Sequence, residues 1–179
     1  MKILTLIGGI SKDSMNNKLF ELIKPLAPSE FEFEKFDVSE LPYFSQDIEN
    51  DLSESAKKFK NAITLSDAVF FITPEYNRSM PGVLKNAIDF ASRPYGKNVW
   101  AGKPAGVLGA AAGPSGAFSG QQHVKMTLSF LGALVMWQPE INFNYPAYVN
   151  DKGELDVSSE KLFGNYFKAF KAWIEKNKS

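Results

Sequence analysis

The chain has 179 residues, about one domain's worth, and its 20 lysines and arginines balance 20 aspartates and glutamates. Zero net charge argues against nucleic-acid binding by counterion release and against a polybasic membrane anchor. With no cysteine and a single histidine, His123, the chain has no disulfide, thiolate zinc site, cysteine nucleophile or multi-histidine metal centre.

No apolar run approaches the roughly 20 residues of a membrane span. The amino-terminal run Ile3–Ile7 stops at Gly8-Gly9, too short for the core of a signal peptide. The expectation is therefore one soluble, cytoplasmic domain over residues 1–179, with no resident metal.

In chain order, Ile3–Ile7 reads as a strand covered on both faces. Ser14 caps a helix whose apolar side carries Met15, Leu19, Leu22, Ile23 and Leu26. Phe31, Phe33, Phe36 and Val38 mark a second strand. A helix from about Ser53 carries Ala56, Phe59, Ala62 and Ile63. Ala68–Ile72 is the strongest strand, and Pro81-Gly82 opens the next helix. Ala105–Leu108 or slightly beyond is the fourth strand, and Gly109–Gly120 a loop of small residues. A helix with Val124 and Leu128 follows, and the fifth strand runs from Leu134 to Trp137, continued or followed by Ile141 and Phe143. The last helix spans about Ser158–Lys176, its lysines mostly opposite a broad aromatic face.

Alternating strands and helices predict an α/β three-layer sandwich, a five-stranded parallel sheet in the order 2-1-3-4-5. That order puts the ligand crevice outside the carboxyl ends of strands 1 and 3, where three loops meet. In the first, Gly8–Asn16, the backbone N–H groups beside a helix start suit an anion. Gly9, Ser11, Lys12, Ser14 and Asn16 are its candidate binding residues. A tight turn with a serine cap explains the same residues, and the spacing is neither G-x-G-x-x-G nor a P-loop. No acidic residue follows strand 2 where a dinucleotide ribose wants one, unless Asp37 serves.

The second loop, Thr73–Pro81, offers Pro74, Glu75, Tyr76, Asn77, Arg78 and Ser79 as candidate cofactor-binding residues. Unpaired N–H groups of Glu75, Tyr76 and Asn77 over the crevice can hold the polar edge of a planar heterocycle. Arg78 and Arg93, the chain's two arginines, flank this segment. The third loop contributes Ala111, Gly113 and Gly116.

From Pro74 to Asp89 the chain matches every fixed position of Pro-Glu-Tyr-Asn-x-Ser-x-Pro-Gly-x-Leu-Lys-Asn-Ala-Ile-Asp. This run resembles the signature of the NAD(P)H-dependent FMN reductases. Gly8, Ser14 and Asn16 match that family's first loop. Leu41-Pro42-Tyr43-Phe44 with Asp47 is similar to its segment after strand 2, and Gly113–Val124 to its third loop. The resemblance implies a flavodoxin-like fold, bound FMN, NAD(P)H as electron donor and a homodimer or homotetramer. It also implies ping-pong reduction of small-molecule oxidants: quinones, azo compounds, metal oxyanions or free flavin. The reactive atom is then flavin N5, so no side chain is expected to be catalytic.

Two departures stand out. Gly9 replaces the family's serine, and Ser11 replaces its phosphate-binding arginine. Lys12 can partly compensate as a point charge, which predicts FMN binding that is weaker and more exchangeable. His123 reads as loop-orienting, Glu75 as a loop brace and Asp89 as a surface or interface residue. A flavodoxin-type electron carrier or a flavin-binding sensor is the alternative; such carriers are strongly acidic, and this chain is neutral.

Overall fold

The computed structural model describes residues 1–177. Strands β1 (Lys2–Ile7), β2 (Glu32–Phe36), β3 (Ala68–Ile72), β4 (Pro104–Ala111) and β5 (Leu134–Val135) form a parallel sheet in the expected order, β2-β1-β3-β4-β5. A sixth strand, β6 (Asn142–Asn144), also pairs with β4.

Helices α1 (Met15–Ile23) and α6 (Val157–Lys176) cover one face; α2 (Glu54–Leu65), α3 (Gly82–Ser92) and α4 (Phe118–Phe130) cover the other. A one-turn helix, α5 (Tyr145–Tyr148), follows β6. Adjacent strand residues point to opposite faces. Phe71 accordingly joins Phe59 and Trp100 in one apolar layer, while Phe70 joins Phe167 and Phe170 in the other. Covering on both sides makes β1 and β3 continuous apolar runs.

The helix starts follow their caps. Ser14 Oγ accepts from Asn17 N at 3.3 Å, Ser53 Oγ from Ala56 N at 3.2 Å, and Asp156 Oδ1 from Ser159 N at 2.6 Å. The Ser159 and Ser158 donors hold the Asp156 carboxyl below its ordinary range. Pro81 precedes the first residue of α3, as expected.

Two strand boundaries differ from the sequence reading. β4 runs to Ala111, taking three residues of the expected loop, because its small residues lie beneath bulky neighbours. A Cβ at Gly106 would sit 3.0 Å from the Phe170 ring, and one at Gly109 only 2.4 Å from the Thr73 carbonyl oxygen. The fifth strand is two fragments: between their registers β4 advances four residues, Ala105 to Gly109, while the partner advances seven, Val135 to Asn142. Pro139 has no N–H to give a ladder, and Glu140 reaches out of the sheet to Lys125 on α4 at 2.7 Å. Trp100 is fully buried, whereas Trp137 stands half-exposed beside Lys125.

Candidate functional site

At the carboxyl ends of β1, β3 and β4 the three loops meet. Gly8 N donates to Ile72 O at 2.8 Å and Thr73 N to Leu108 O at 2.9 Å, which fixes the loop bases side by side.

In the first loop, α1 begins at Met15, and the first N–H groups of a helix have no acceptor within it. Ser14 Oγ takes that of Asn17, and those of Met15 and Asn16 have no acceptor among the described residues. The Ser14 hydroxyl can still donate its own hydrogen. Ser11 and Lys12 are exposed, and Lys12 makes no ion pair among the described residues, whereas Lys18 pairs with Asp13 at 3.4 Å. Gly9 is buried, and a Cβ there would lie 2.1 Å from Ser14 Oγ. A serine at position 9 would therefore turn the Ser14 hydroxyl away from its cap. Asn16 is buried as well: its Oδ1 accepts from Ala110 N at 3.0 Å and its Nδ2 donates to Ala110 O at 3.1 Å. It pins α1 to the end of β4.

The second loop is a two-residue hairpin. Tyr76 N donates to Ser79 O at 2.9 Å, Ser79 N donates to Tyr76 O at 3.0 Å, and Asn77 and Arg78 take φ of 51° and 64°. Positive φ at both central residues defines the type I′ turn that asparagine favours. The closure corrects one expectation: the Tyr76 N–H is spent on Ser79. Those of Asn77 and Arg78 have no protein acceptor among the described residues.

Three contacts strap this loop to the start of α4. The residue before α4, Ala117, is in the left-handed region and supplies no side-chain cap. Glu75 supplies one from outside, its Oε2 accepting from Ser119 N at 2.8 Å, with Arg78 3.6 Å from its other oxygen. A carboxylate there also faces the positive helix end. Ser79 Oγ and His123 Nδ1 share a hydrogen bond of 2.8 Å. A Cβ at Gly120 would lie 2.7 Å from Pro74 O, so loop and helix touch backbone to backbone. Glu75 and His123 thus tie the loop to α4.

In the third loop, Ala111 and Gly113 are half-buried at the rim, and a Cβ at Gly113 would meet nothing within 4 Å. Gly116 turns the other way. Its N–H donates to Gly113 O at 3.2 Å, its φ is 52°, and a Cβ would overlap Asn142 C at 2.1 Å. Gln121, fully buried, donates to Gly116 O at 3.0 Å and Ile141 O at 2.9 Å, holding the loop against β6.

A family model described as "NADPH-dependent FMN reductase" matches residues 1–147. The chain belongs to the NADPH-dependent FMN reductase family.

A "2-hydroxy-1,4-benzoquinone reductase" of Burkholderia sp. is 39% identical over 97% of this chain and 96% of its own. A "quinone reductase" of Pseudomonas putida is 36% identical over 99% and 96%. Among solved structures, FerB, a flavoenzyme NAD(P)H:(acceptor) oxidoreductase from Paracoccus denitrificans, has a TM-score of 0.92 at 39% identity over 98% of both chains. A flavodoxin, WrbA-like protein from Agrobacterium tumefaciens matches at a TM-score of 0.63 and 17% identity, which shows the shared flavodoxin-like fold. As an FMN reductase the chain is an oxidoreductase, with FMN as cofactor and NAD(P)H as donor.

The residues present fit that cofactor. A phosphate can meet the free N–H groups of α1, the Ser14 hydroxyl and the Lys12 ammonium. A planar ring can meet the outward N–H groups of the Asn77-Arg78 turn and the open rim at Gly113. Sequence reasoning missed Ser119 and Gly120, the partners of Glu75 and Pro74. The available signal was a helix start with no Ser, Thr, Asp or Asn just before it, which calls for a cap from elsewhere.

Proposed function

We propose that this FMN reductase reduces quinones with electrons from NAD(P)H, working in the cytoplasm as one domain within a homodimer or homotetramer. The observation that carries the reading is the crevice itself. The start of α1, with Lys12 making no ion pair among the described residues, and a hairpin whose Asn77 and Arg78 N–H groups have no protein acceptor among them are anchored side by side at the ends of β1 and β3. FMN held there supplies two-electron transfer from NAD(P)H to an oxidised acceptor.

The chain's own residues bind and orient. Ser11, Lys12 and Ser14 hold the phosphate end, with Gly9 leaving room for the Ser14 cap and Asn16 fixing α1. Pro74, Glu75 and Ser79 keep the hairpin on α4, so that the N–H groups of Asn77 and Arg78 would be held in place to stabilise negative charge on a bound flavin. Tyr76 flanks the ring, Ala111 and Gly113 form the opposite rim, and Gly116 fixes that rim to β6. No side chain is required as a base. Quinones are the favoured acceptors because the two similar proteins named above bear quinone reductase names. Azo compounds, metal oxyanions and free flavin are further acceptors to compare.

Assembly is supported by α4, whose outer side carries Phe118, Met126 and Phe130, the last 88% exposed. Met126 and Phe130 also line a groove of about 400 Å³ against Lys85, Asp89 and Ser92 of α3. In a two-fold pairing the same ring that borders one groove fills the other.

The test is steady-state kinetics of the FMN-loaded protein with NAD(P)H and a benzoquinone varied together. Parallel double-reciprocal lines, and a kcat/KM for quinone above those for an azo dye or free FMN, are expected. Intersecting lines, or no turnover of any quinone, contradict the reading.

A further inference from the structure

A second cavity, of about 270 Å³, opens at the carboxyl ends of β1 and β2, on the opposite side of β1 from the crevice shared with β3. Gly9, Ile10, Asn17, Lys35, Asp37 and Ser39 line it. Its volume is below the roughly 300–1,000 Å³ of complete small-molecule sites, which suits one end of a longer ligand.

Its chemistry is specific. Asp37 accepts from Ser39 N at 2.9 Å and Ser39 Oγ at 2.6 Å, both on Oδ1. Oδ2 is left as an oriented acceptor on an exposed residue. Lys35, two positions earlier on the same side of the strand, is held loosely, 3.5 Å from both Asn17 Oδ1 and Glu21 Oε1. Ile10 adds exposed apolar surface, and Asn17 Nδ2 donates to Gly9 O at 2.7 Å, joining this wall to the first loop. An acceptor for a ribose hydroxyl, a nearby cation and an apolar surface for a base together describe a nucleoside site. In dinucleotide-binding α/β folds a carboxylate after the second strand pairs with a ribose 2′-hydroxyl and repels a 2′-phosphate, and Asp37 occupies the corresponding place here.

We infer that this cavity holds the adenosine ribose of the nicotinamide dinucleotide, and that Asp37 is the residue that favours NADH over NADPH. The inference rests on the proposed use of NAD(P)H and adds where its far end sits. With Asp37 replaced by serine, the repulsion goes, and Lys35, still 3.5 Å from Glu21 Oε1, is the nearby cation for the phosphate.

Two measurements on the FMN-loaded protein test it, wild type against Asp37→Ser, with bound-flavin content and melting temperature as folding controls. In steady-state assays the ratio of kcat/KM for NADH to that for NADPH is expected to fall at least about tenfold in the variant, through KM, as for a lost hydrogen bond to a charged group. In saturation-transfer NMR, wild type is expected to bind adenosine 5′-monophosphate more tightly than adenosine 2′-monophosphate, and the variant the reverse. An unchanged ratio in a folded, flavin-loaded variant, or no binding of either nucleotide to wild type, overturns the inference. Wild type that binds the nucleotide but oxidises neither dinucleotide leaves the cavity standing and overturns the proposed function instead.

Discussion

Ser11 and Lys12 decide how strongly the first loop holds an anion. Ser11 brings no charge to this loop, so its cation is Lys12, exposed and without an ion pair among the described residues. Lys12→Ala is expected to weaken FMN binding about three- to tenfold, in a salt-dependent way, as for a point charge near the surface; equilibrium dialysis at two ionic strengths reads it. Glu75 acts on two elements. Its replacement by alanine removes the external cap of Ser119 N and is expected to cost about 1–2 kcal/mol in urea unfolding, together with looser FMN binding. Gly116→Ala brings both a left-handed residue and a Cβ overlapping the Asn142 backbone. A loss of about 3 kcal/mol or more in the same experiment is expected. At this scale the sequence carried which loops meet, and the functional run Pro74–Ser79. It did not carry which hydrogen bonds were already spent. Asn16 and the Tyr76 N–H read as free donors because their partners, Ala110 and Ser79, are fixed only by the fold.

Element by element, β1, β3 and the capped helices were legible, because continuous apolar runs and Ser or Asp caps are local signals. The end of β4 and the broken fifth strand were not. Small residues under aromatic neighbours make a weak strand pattern, and the break at Pro139–Glu140 is completed by a distant lysine. Lys125 is buried, donates to Glu140 Oε1 at 2.7 Å and stands 5.6 Å over the Trp137 ring. Burial pushes the Glu140 carboxyl up, but the Lys125 and Gln122 donors outweigh it and leave the group below its ordinary range. A carboxyl depressed in the folded state stabilises above its unfolded pKa, about 4.3, and loses that stabilisation as pH falls through the folded value. Glu140→Gln leaves the Lys125 charge buried without its counter-ion. A loss of about 3 kcal/mol is expected at pH 7, at the low end for buried pairs because water partly reaches Glu140. In urea unfolding at several pH values, that difference should hold down to about pH 5 and shrink below pH 4.

For the whole molecule, the α/β alternation carried the architecture, and one signature run carried the family. What they could not carry was the outer face of α4, since Phe118, Met126 and Phe130 look the same in a sequence whether they face a core or solvent. Phe130→Glu places a charge on that face. It is expected to shift the protein to the monomer in sedimentation equilibrium, with flavin still bindable at high FMN. A monomeric wild type, or a variant that sediments like wild type, would contradict the paired-α4 assembly.

As a whole, the molecule is proposed to pass electrons from a nicotinamide donor through FMN to a quinone. The most direct measurement is an anaerobic titration of the FMN-loaded protein with NADH and, separately, with NADPH, followed by visible flavin absorbance and then by addition of a benzoquinone. Bleaching with one donor equivalent per flavin is expected, and full recovery of the colour on adding quinone. Flavin that stays oxidised with both donors, or stays bleached after quinone, would contradict it.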